Sequence, residues 1–246
     1  MHLPGLHGDW TLLGPFRAAL AGHARLVETT YPREPAWSLE DYARALEIVL
    51  AEKGITRGWL VAESFSSQVA WRLLAGVRRE SHGARFETTG LVLVGGFIRH
   101  PWPRGVKLAH SISKPVPTWV LRLLCRLYAG AVRRRFGHCP EAIAELDEFV
   151  RRRANRPDRR AINGRYRLIV ENDPGSDAEQ TRLPVFHLSG AWDPIVPWWQ
   201  VEPWLRRHCP GYRASRILWR GGHNVLLSAP AASADQIMAW LENKRS

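Results

Sequence analysis

The chain has 246 residues, 45% of them hydrophobic and 24% charged, enough for one α/β domain with a substantial core or for a core carrying an embedded module. It contains no run of about 18 uncharged apolar residues and does not open on a basic region followed by an apolar secretory core, which predicts a cytoplasmic protein with no transmembrane segment. The 35 Lys and Arg exceed the 23 Asp and Glu by 12, and that whole excess falls in residues 98 to 167, which hold 17 basic and 5 acidic side chains.

In chain order, MHLPGLHGDW reads as the stub of a strand, residues 1 to 3, emptying into a Pro-Gly loop. ARLVETTYP, residues 24 to 32, reads as a short buried strand. Leu39, Tyr42, Ala43, Leu46, Val49 and Leu50 recur at helical spacing, with Ser38 and Asp41 as a capping pair and Gly54 as the stop. RGWLVAE, FSSQVAWRLLAGVRR and TGLVLVGGF then read as strand, helix and strand. That alternation predicts a mostly parallel sheet flanked by helices on both faces. Between 98 and 180 it stops. Val116, Trp119, Val120, Leu123, Leu124, Leu127, Tyr128, Ala131 and Val132 form one apolar helical stripe with arginines opposite. EAIAELDEFVRRR is a second helix, acidic at its start and basic at its end as the helix dipole favours. The alternation resumes with LPVFHLSG as a strand, a helix near 200 to 207, a strand in RASRILW and a terminal helix in AASADQIMAWLENK. The organisation expected is a core of residues 1–97 and 181–246 interrupted by a basic helical insertion, 98–180.

The segment LVAESFSSQVA sets Ser64 between a predicted strand and a predicted helix, as in the sharp turn that presents a nucleophilic serine. Strand and helix approach so closely there that the residues two before and two after the serine must be small. Glycine is usual, and Ala62 and Ser66 are small enough. The same pattern recurs around Ser111 in AHSIS, where no strand precedes it. Asp193, in AWDPIVP, follows a predicted strand at its carboxyl end, where sites form in open α/β sheets. His223, in WRGGHNVLL, lies on the next such loop, and Gly221 and Gly222 leave that loop free to turn the imidazole inward. Nucleophile, acid and base thus appear in the order Ser, Asp, His on successive strands. Taken singly, each also has an ordinary reading: a small polar turn residue, a cap before Pro194, a loop histidine.

These motifs resemble those of the α/β-hydrolase superfamily, in particular bacterial serine-esterase-like members with an elbow of the ESF type. The resemblance covers nearly the whole chain, with LPGLHG as the oxyanion loop, AESFS as the elbow, GAWDPIVP as the acid loop and GGHN as the histidine loop. It implies an α/β-hydrolase fold acting on a small hydrophobic carboxylic ester or thioester through an acyl-enzyme. Ser64 would be the nucleophile, His223 the general base and acid, and Asp193 the orienting acid. The backbone N–H groups of Leu6 and Phe65 would form the oxyanion hole, and residues 98–180 a cap inserted before the acid-bearing strand. Trp119, Trp192 and Trp198 would line the pocket. No metal and no cofactor are expected. In the family the strand entering the oxyanion loop lies inside the sheet and two further strands precede it; here those N-terminal strands are shortened or missing. Either the sheet closes around a stub or the natural chain starts upstream. An acyltransferase, or a binding protein that keeps the fold without activity, shares the same motifs.

The remaining candidates are weaker. Glu63 neighbours Ser64 but strand alternation turns it to the other face. His7 shapes the oxyanion loop. His100, His110, His138 and His208 form no recognisable metal spacing, Cys125, Cys139 and Cys209 are too few and scattered for a disulfide framework, and GGF at 95 to 97 lacks the flanks of a phosphate-binding loop. The arginine runs at 133–135, 151–153 and 159–160 are either a solvated face or a dock for an acidic partner, such as an acyl carrier protein, a coenzyme A nucleotide or an anionic lipid surface. They lack the interleaved aromatic platform of a nucleic-acid binder.

Overall fold

A computed structural model describes residues 1–79, 86–113, 118–136, 140–155 and 159–242. Val116, His138 and Cys139 lie outside the described residues, as do the side chains of Leu124, Cys125, Tyr128, Val132, Arg135, Arg151 to Arg153 and Arg159.

Five strands, β1 (His2–Leu3), β2 (Arg57–Glu63), β3 (Glu87–Val94), β4 (Val185–Gly190) and β5 (Tyr212–Leu218), form one parallel sheet in sequence order. Helices fill every connection. Between β1 and β2 run α1 (Gly14–Leu20) and α2 (Leu39–Glu52), and between β2 and β3 runs α3 (Ser66–Arg79). Between β3 and β4 come α4 (Pro103–Ser113), α5 (Thr118–Phe136), α6 (Pro140–Asn155), α7 (Arg159–Glu171) and α8 (Gly175–Glu179). Then α9 (Trp198–His208) joins β4 to β5, and α10 (Val225–Ser228) and α11 (Pro230–Glu242) close the chain.

The central strands are apolar on both faces because both faces are covered. Leu60, Ala62, Leu91, Leu93 and Val185 face a core built with α2, α3 and α9, whereas Val61, Val92, Val94, Phe186 and Leu188 face α1, α10 and α11. Ser38 caps α2 as its sequence predicts, its hydroxyl accepting from the Asp41 N–H while the Asp41 carboxylate accepts from the Ser38 N–H. Within the segment between β3 and β4, Val106, Leu168, Ile169 and Ala178 join the first core, while Ala129 and Leu146 form a small separate cluster with Leu12 and Leu227.

One expected strand is not there. Residues 24–32 contribute a single bridge, Glu28 beside His2, and the Val27 carbonyl accepts from the His2 N–H at 2.8 Å. The physical reason is the brevity of β1: with only His2 and Leu3 in the ladder, paired to Val61 and Ala62, there is little extended backbone for a further strand to follow. β1 itself lies between this bridge and β2, where the resemblance placed it.

α7 reaches the core through Gly164, where a Cβ would press on the Pro35 carbonyl and lie 2.9 Å from the Pro35 Cα. Both are backbone atoms with no freedom to step aside. Gly164→Ala is therefore expected to lower unfolding free energy by roughly 1–3 kcal/mol in urea titration, as overpacking does. Gly130→Ala on α5, with no atom within 4 Å of the new methyl, should be neutral or stabilising by up to about 1 kcal/mol. Equal effects at the two positions would contradict this packing.

Candidate active site

β2 ends at Glu63 and α3 begins at Ser66, so the chain reverses within Ser64 and Phe65. Ser64 has φ 51°, and among the described residues no other non-glycine has a positive φ. Holding a side chain in that left-handed conformation costs about 1–3 kcal/mol, which the surroundings must repay. They do so with hydrogen bonds: the Ser64 N–H donates to the Val94 carbonyl at 2.9 Å, and its carbonyl accepts from the Ser67 N–H at 3.0 Å and the Ser67 hydroxyl at 2.6 Å. Ala62 and Ser66 are fully buried against the turn. Ser66 does more than stay small, since its hydroxyl donates to the Pro4 carbonyl while the Tyr31 phenol lies 2.7 Å away.

The loops after β4 and β5 bring the other two candidates to this turn. His223 Nε2 lies 3.0 Å from Ser64 Oγ, and His223 Nδ1 lies 2.8 Å from Asp193 Oδ2. The second carboxylate oxygen, Oδ1, accepts from the Ile195 and Val196 N–H groups at 2.8 and 2.9 Å, which fixes the acid's orientation. Gly190 permits the two loops to meet, because a Cβ there would collide with the backbone of Gly221 and Gly222. Gly95, at φ +52°, lies beneath the pair; a Cβ on it would sit 3.4 Å from both Asp193 Oδ2 and His223 Nδ1. Burial acts most strongly on the imidazole and disfavours its charged form, yet the charge and hydrogen bond of Asp193, with help from Glu63, hold His223 above its ordinary value of 6.5.

Residues 4–8 follow β1, and the carbonyls of Pro4, Gly5, Leu6 and Gly8 are tied. Besides the Ser66 bond to Pro4, the Gly5 carbonyl accepts from Gly8 N–H and the Gly8 carbonyl from Tyr31 N–H. Arg165, on α7 and only 2% exposed, donates to the Leu6 carbonyl at 2.8 Å, the Pro32 carbonyl at 3.1 Å and the Tyr42 phenol at 3.2 Å. Its guanidinium also lies over the rings of Tyr31 and Tyr42. Gly8 makes room for it, since a Cβ there would lie 2.7 Å from the guanidinium carbon. Among the described residues, the N–H groups of Leu6 and Phe65 donate to no protein acceptor. His7 packs on Phe149 of α6, with ring centroids 4.9 Å apart.

Glu63 is buried, and His2 Nε2 lies 3.3 Å from its carboxylate. Burial works hardest on it and opposes ionisation, but the His2 bond and the charges of His2, His7 and His223 outweigh that and hold its carboxyl below the usual range. A cavity of about 480 Å³ has Ile98, His100, Asp173, Gln200 and Trp204 in its wall, and Ser64, Asp193 and His223 do not line it. Burial, aided by the charge of His223, holds His100 down at about 4, so it is a neutral wall group. Of the tryptophans expected at the pocket, none lines this cavity: Trp119 and Trp192 are exposed, and Trp198 packs edge-on against Trp199, while α9 presents Trp204 instead. Among the described residues, no three His, Cys, Asp or Glu side chains converge as metal ligands do. Arg165, Tyr31 and Gly95 were not singled out by motif. An arginine in a basic segment carries no mark of burial, and only the glycines at 8 and 95 hint that something must approach there.

No protein-family model matches the chain, and no curated protein matches it by sequence. Solved structures do. An esterase from Thermogutta terrifontis superimposes with a TM-score of 0.74 at 18% identity, over 98% of this chain and 88% of that one. MGS-M2, an α/β-hydrolase enzyme from a Medee basin deep-sea metagenome library, gives 0.74 at 13% identity over the same shares. The enol-lactonase from Burkholderia xenovorans gives 0.69 at 16%, again over 98% and 88%. With five parallel strands between two helical layers and this agreement over nearly its full length, the chain has the α/β-hydrolase fold.

Proposed function

We propose that this protein is a serine hydrolase that cleaves a carboxylic ester or thioester through an acyl-enzyme. The observation that carries the reading is the continuous chain Ser64 Oγ, His223 and Asp193, with links of 3.0 and 2.8 Å, on a serine held at positive φ. His223 Nε2 takes the Ser64 proton as Oγ attacks the acyl carbon, and the carbonyl π pair moves to its oxygen. Collapse of that tetrahedral species expels the alcohol or thiol, which leaves with the proton held by His223. Water then repeats the sequence on the acyl-enzyme: His223 takes its proton, and the released Ser64 oxygen takes it back. Asp193 holds the imidazole with Nε2 toward the serine and stabilises its cationic form throughout. Transfer of the acyl group to an alcohol shares every step up to the acyl-enzyme and differs only in which nucleophile arrives next.

The unpartnered N–H groups of Leu6 and Phe65 are the donors for the oxyanion in this reading. Arg165 then acts through the loop: it touches no reacting atom, but its bond to the Leu6 carbonyl sets the peptide plane beside that donor. Residues 98–180 serve as the cap, with α6 lying on the oxyanion loop through Phe149 and α4 and α8 bordering the cavity. The esterases and the lactonase that share the fold make an acyl substrate the natural class to test.

Treatment with a fluorophosphonate should add one adduct by intact mass to the wild type and none to Ser64→Ala; a folded wild type that takes no adduct would sink the proposal. Protonated His223 cannot accept the serine proton, and its raised pKa keeps it protonated to higher pH. The acidic limb of kcat/KM for a 4-nitrophenyl ester should therefore fall through an apparent pKa above 6.5. Asp193→Asn should lower that pKa and cut kcat about 1,000- to 10,000-fold; an unshifted limb would remove Asp193 from its role. Arg165→Lys, which cannot reproduce three planar donations, should lower kcat about 10- to 100-fold with little change in KM. A merely structural role would instead reduce the fraction of serines that react with the probe while leaving kcat per reactive serine unchanged.

A further inference from the structure

From Thr88 to Pro140 the chain contains nine arginines and lysines and no aspartate or glutamate. That stretch builds α4 and α5, and both helices expose large apolar side chains on arcs shared with basic ones. On α4, Arg104, Leu108 and Ile112 follow at four-residue spacing, all exposed, with Leu108 at 60%. On α5, Trp119, Leu123 and Leu127 repeat the spacing at 66%, 47% and 60% exposure, and exposed Arg126 borders their arc about 20° beyond Trp119. Four-residue steps advance a helix by about 40°, so each set shares one face. A monomer gains nothing by leaving such stripes in water, and contiguous exposed apolar surface marks an interaction site.

We propose that α4 and α5 dock this protein on an anionic lipid surface, the leucines and tryptophan entering the interfacial layer and the arginines and Lys107 lying among the headgroup phosphates. Charge complementarity chooses the occupant. A second copy of the chain would bring one acid-free basic stretch against another. An acidic carrier protein would satisfy the arginines but leave two apolar stripes without a role. Among the described residues no helix is long and apolar enough to cross a membrane, and stripes of two to three turns suit a surface contact. The segment also contributes Ile98, His100 and Pro103 to the cavity wall. The inference stands on exposure and charge and holds whether or not Ser64 is catalytic.

The test is co-sedimentation of the full chain with vesicles of phosphatidylcholine alone or mixed with phosphatidylglycerol. Binding is expected to the mixed vesicles only, and to be lost at high salt. Leu108→Ser/Leu123→Ser/Leu127→Ser and, separately, Lys107→Glu/Arg126→Glu should each weaken it about tenfold or more, with unfolding midpoints recorded to show that both variants fold. Failure of the wild type to bind mixed vesicles, equal binding to neutral ones, or full binding by both variants would overturn the proposal. So would a dimer in sedimentation equilibrium that the triple leucine variant dissociates, which would reassign the stripes to contact between copies.

Discussion

The left-handed turn at Ser64 is the constraint around which the rest of this structure is arranged. A residue with a β-carbon holds φ 51° only if its neighbours forbid the relaxed alternatives, and each neighbour here is fitted to that end. Val94, at the end of β3, accepts the Ser64 N–H, so the adjacent strand fixes the turn's height above the sheet. Ser67 ties the turn carbonyl from the first turn of α3 and also accepts the Phe97 N–H at 3.0 Å, coupling the elbow to the loop after β3. Ser66 occupies the position where glycine is usual and reaches the Pro4 carbonyl. A hydroxyl thus replaces bare closeness as the link between the elbow and residues 4–8.

The second organising element is a buried cation. Removing a guanidinium from water is costly unless its donors are satisfied, and Arg165 meets that demand with two carbonyls, one phenol and two aromatic faces. Because its partners come from residues 4–8, from the chain before α2 and from α2 itself, the cost of burial is offset only when all three are in place. Burial also pushes the Tyr31 phenol up, keeping it neutral and able to donate to Ser66. The two clamps therefore act on the same loop, and a short β1 of two residues is enough because side chains do the positioning that a longer strand would otherwise share.

This explains what could be read from the chain and what could not. The buried strands β2, β3 and β4 and helix α2 announce themselves by period and caps, because their burial is local in cause. Ser64, Asp193 and His223 were legible through order, each following a strand whose carboxyl end must point to one rim of a parallel sheet. Residues 24–32 looked like a strand because Leu26, Val27 and Thr29 fit one, but a strand needs a partner and β1 offers two residues. An aromatic count near a site does not say which face of a helix turns inward, and α9 turns Trp204 into the wall of the cavity of about 480 Å³. Arg165 was hidden because its neighbours in sequence, Arg159, Arg160 and Arg167, describe a solvated basic helix. Gly8, which leaves room for the guanidinium, and Gly164, which lets α7 touch the Pro35 backbone, carry the trace of that burial.

The same contrast divides the segment between β3 and β4. Its basic side chains are alike in sequence, yet they meet two different environments. Arg165 spends its charge inside the protein, on carbonyl oxygens that need no counter-charge, and so binds α7 to the core. Arg104, Lys107 and Arg126 stand in water on helices whose stretch of chain has no carboxylate of its own. Any compensation for that excess has to come from elsewhere: from α6, where Asp147 meets Arg133, from counterions, or from a partner. Outside residues 98–167 the chain nets no charge, so the excess belongs to this one segment, and helices that expose both charged and apolar side chains are held in that state by something other than the stability of the fold.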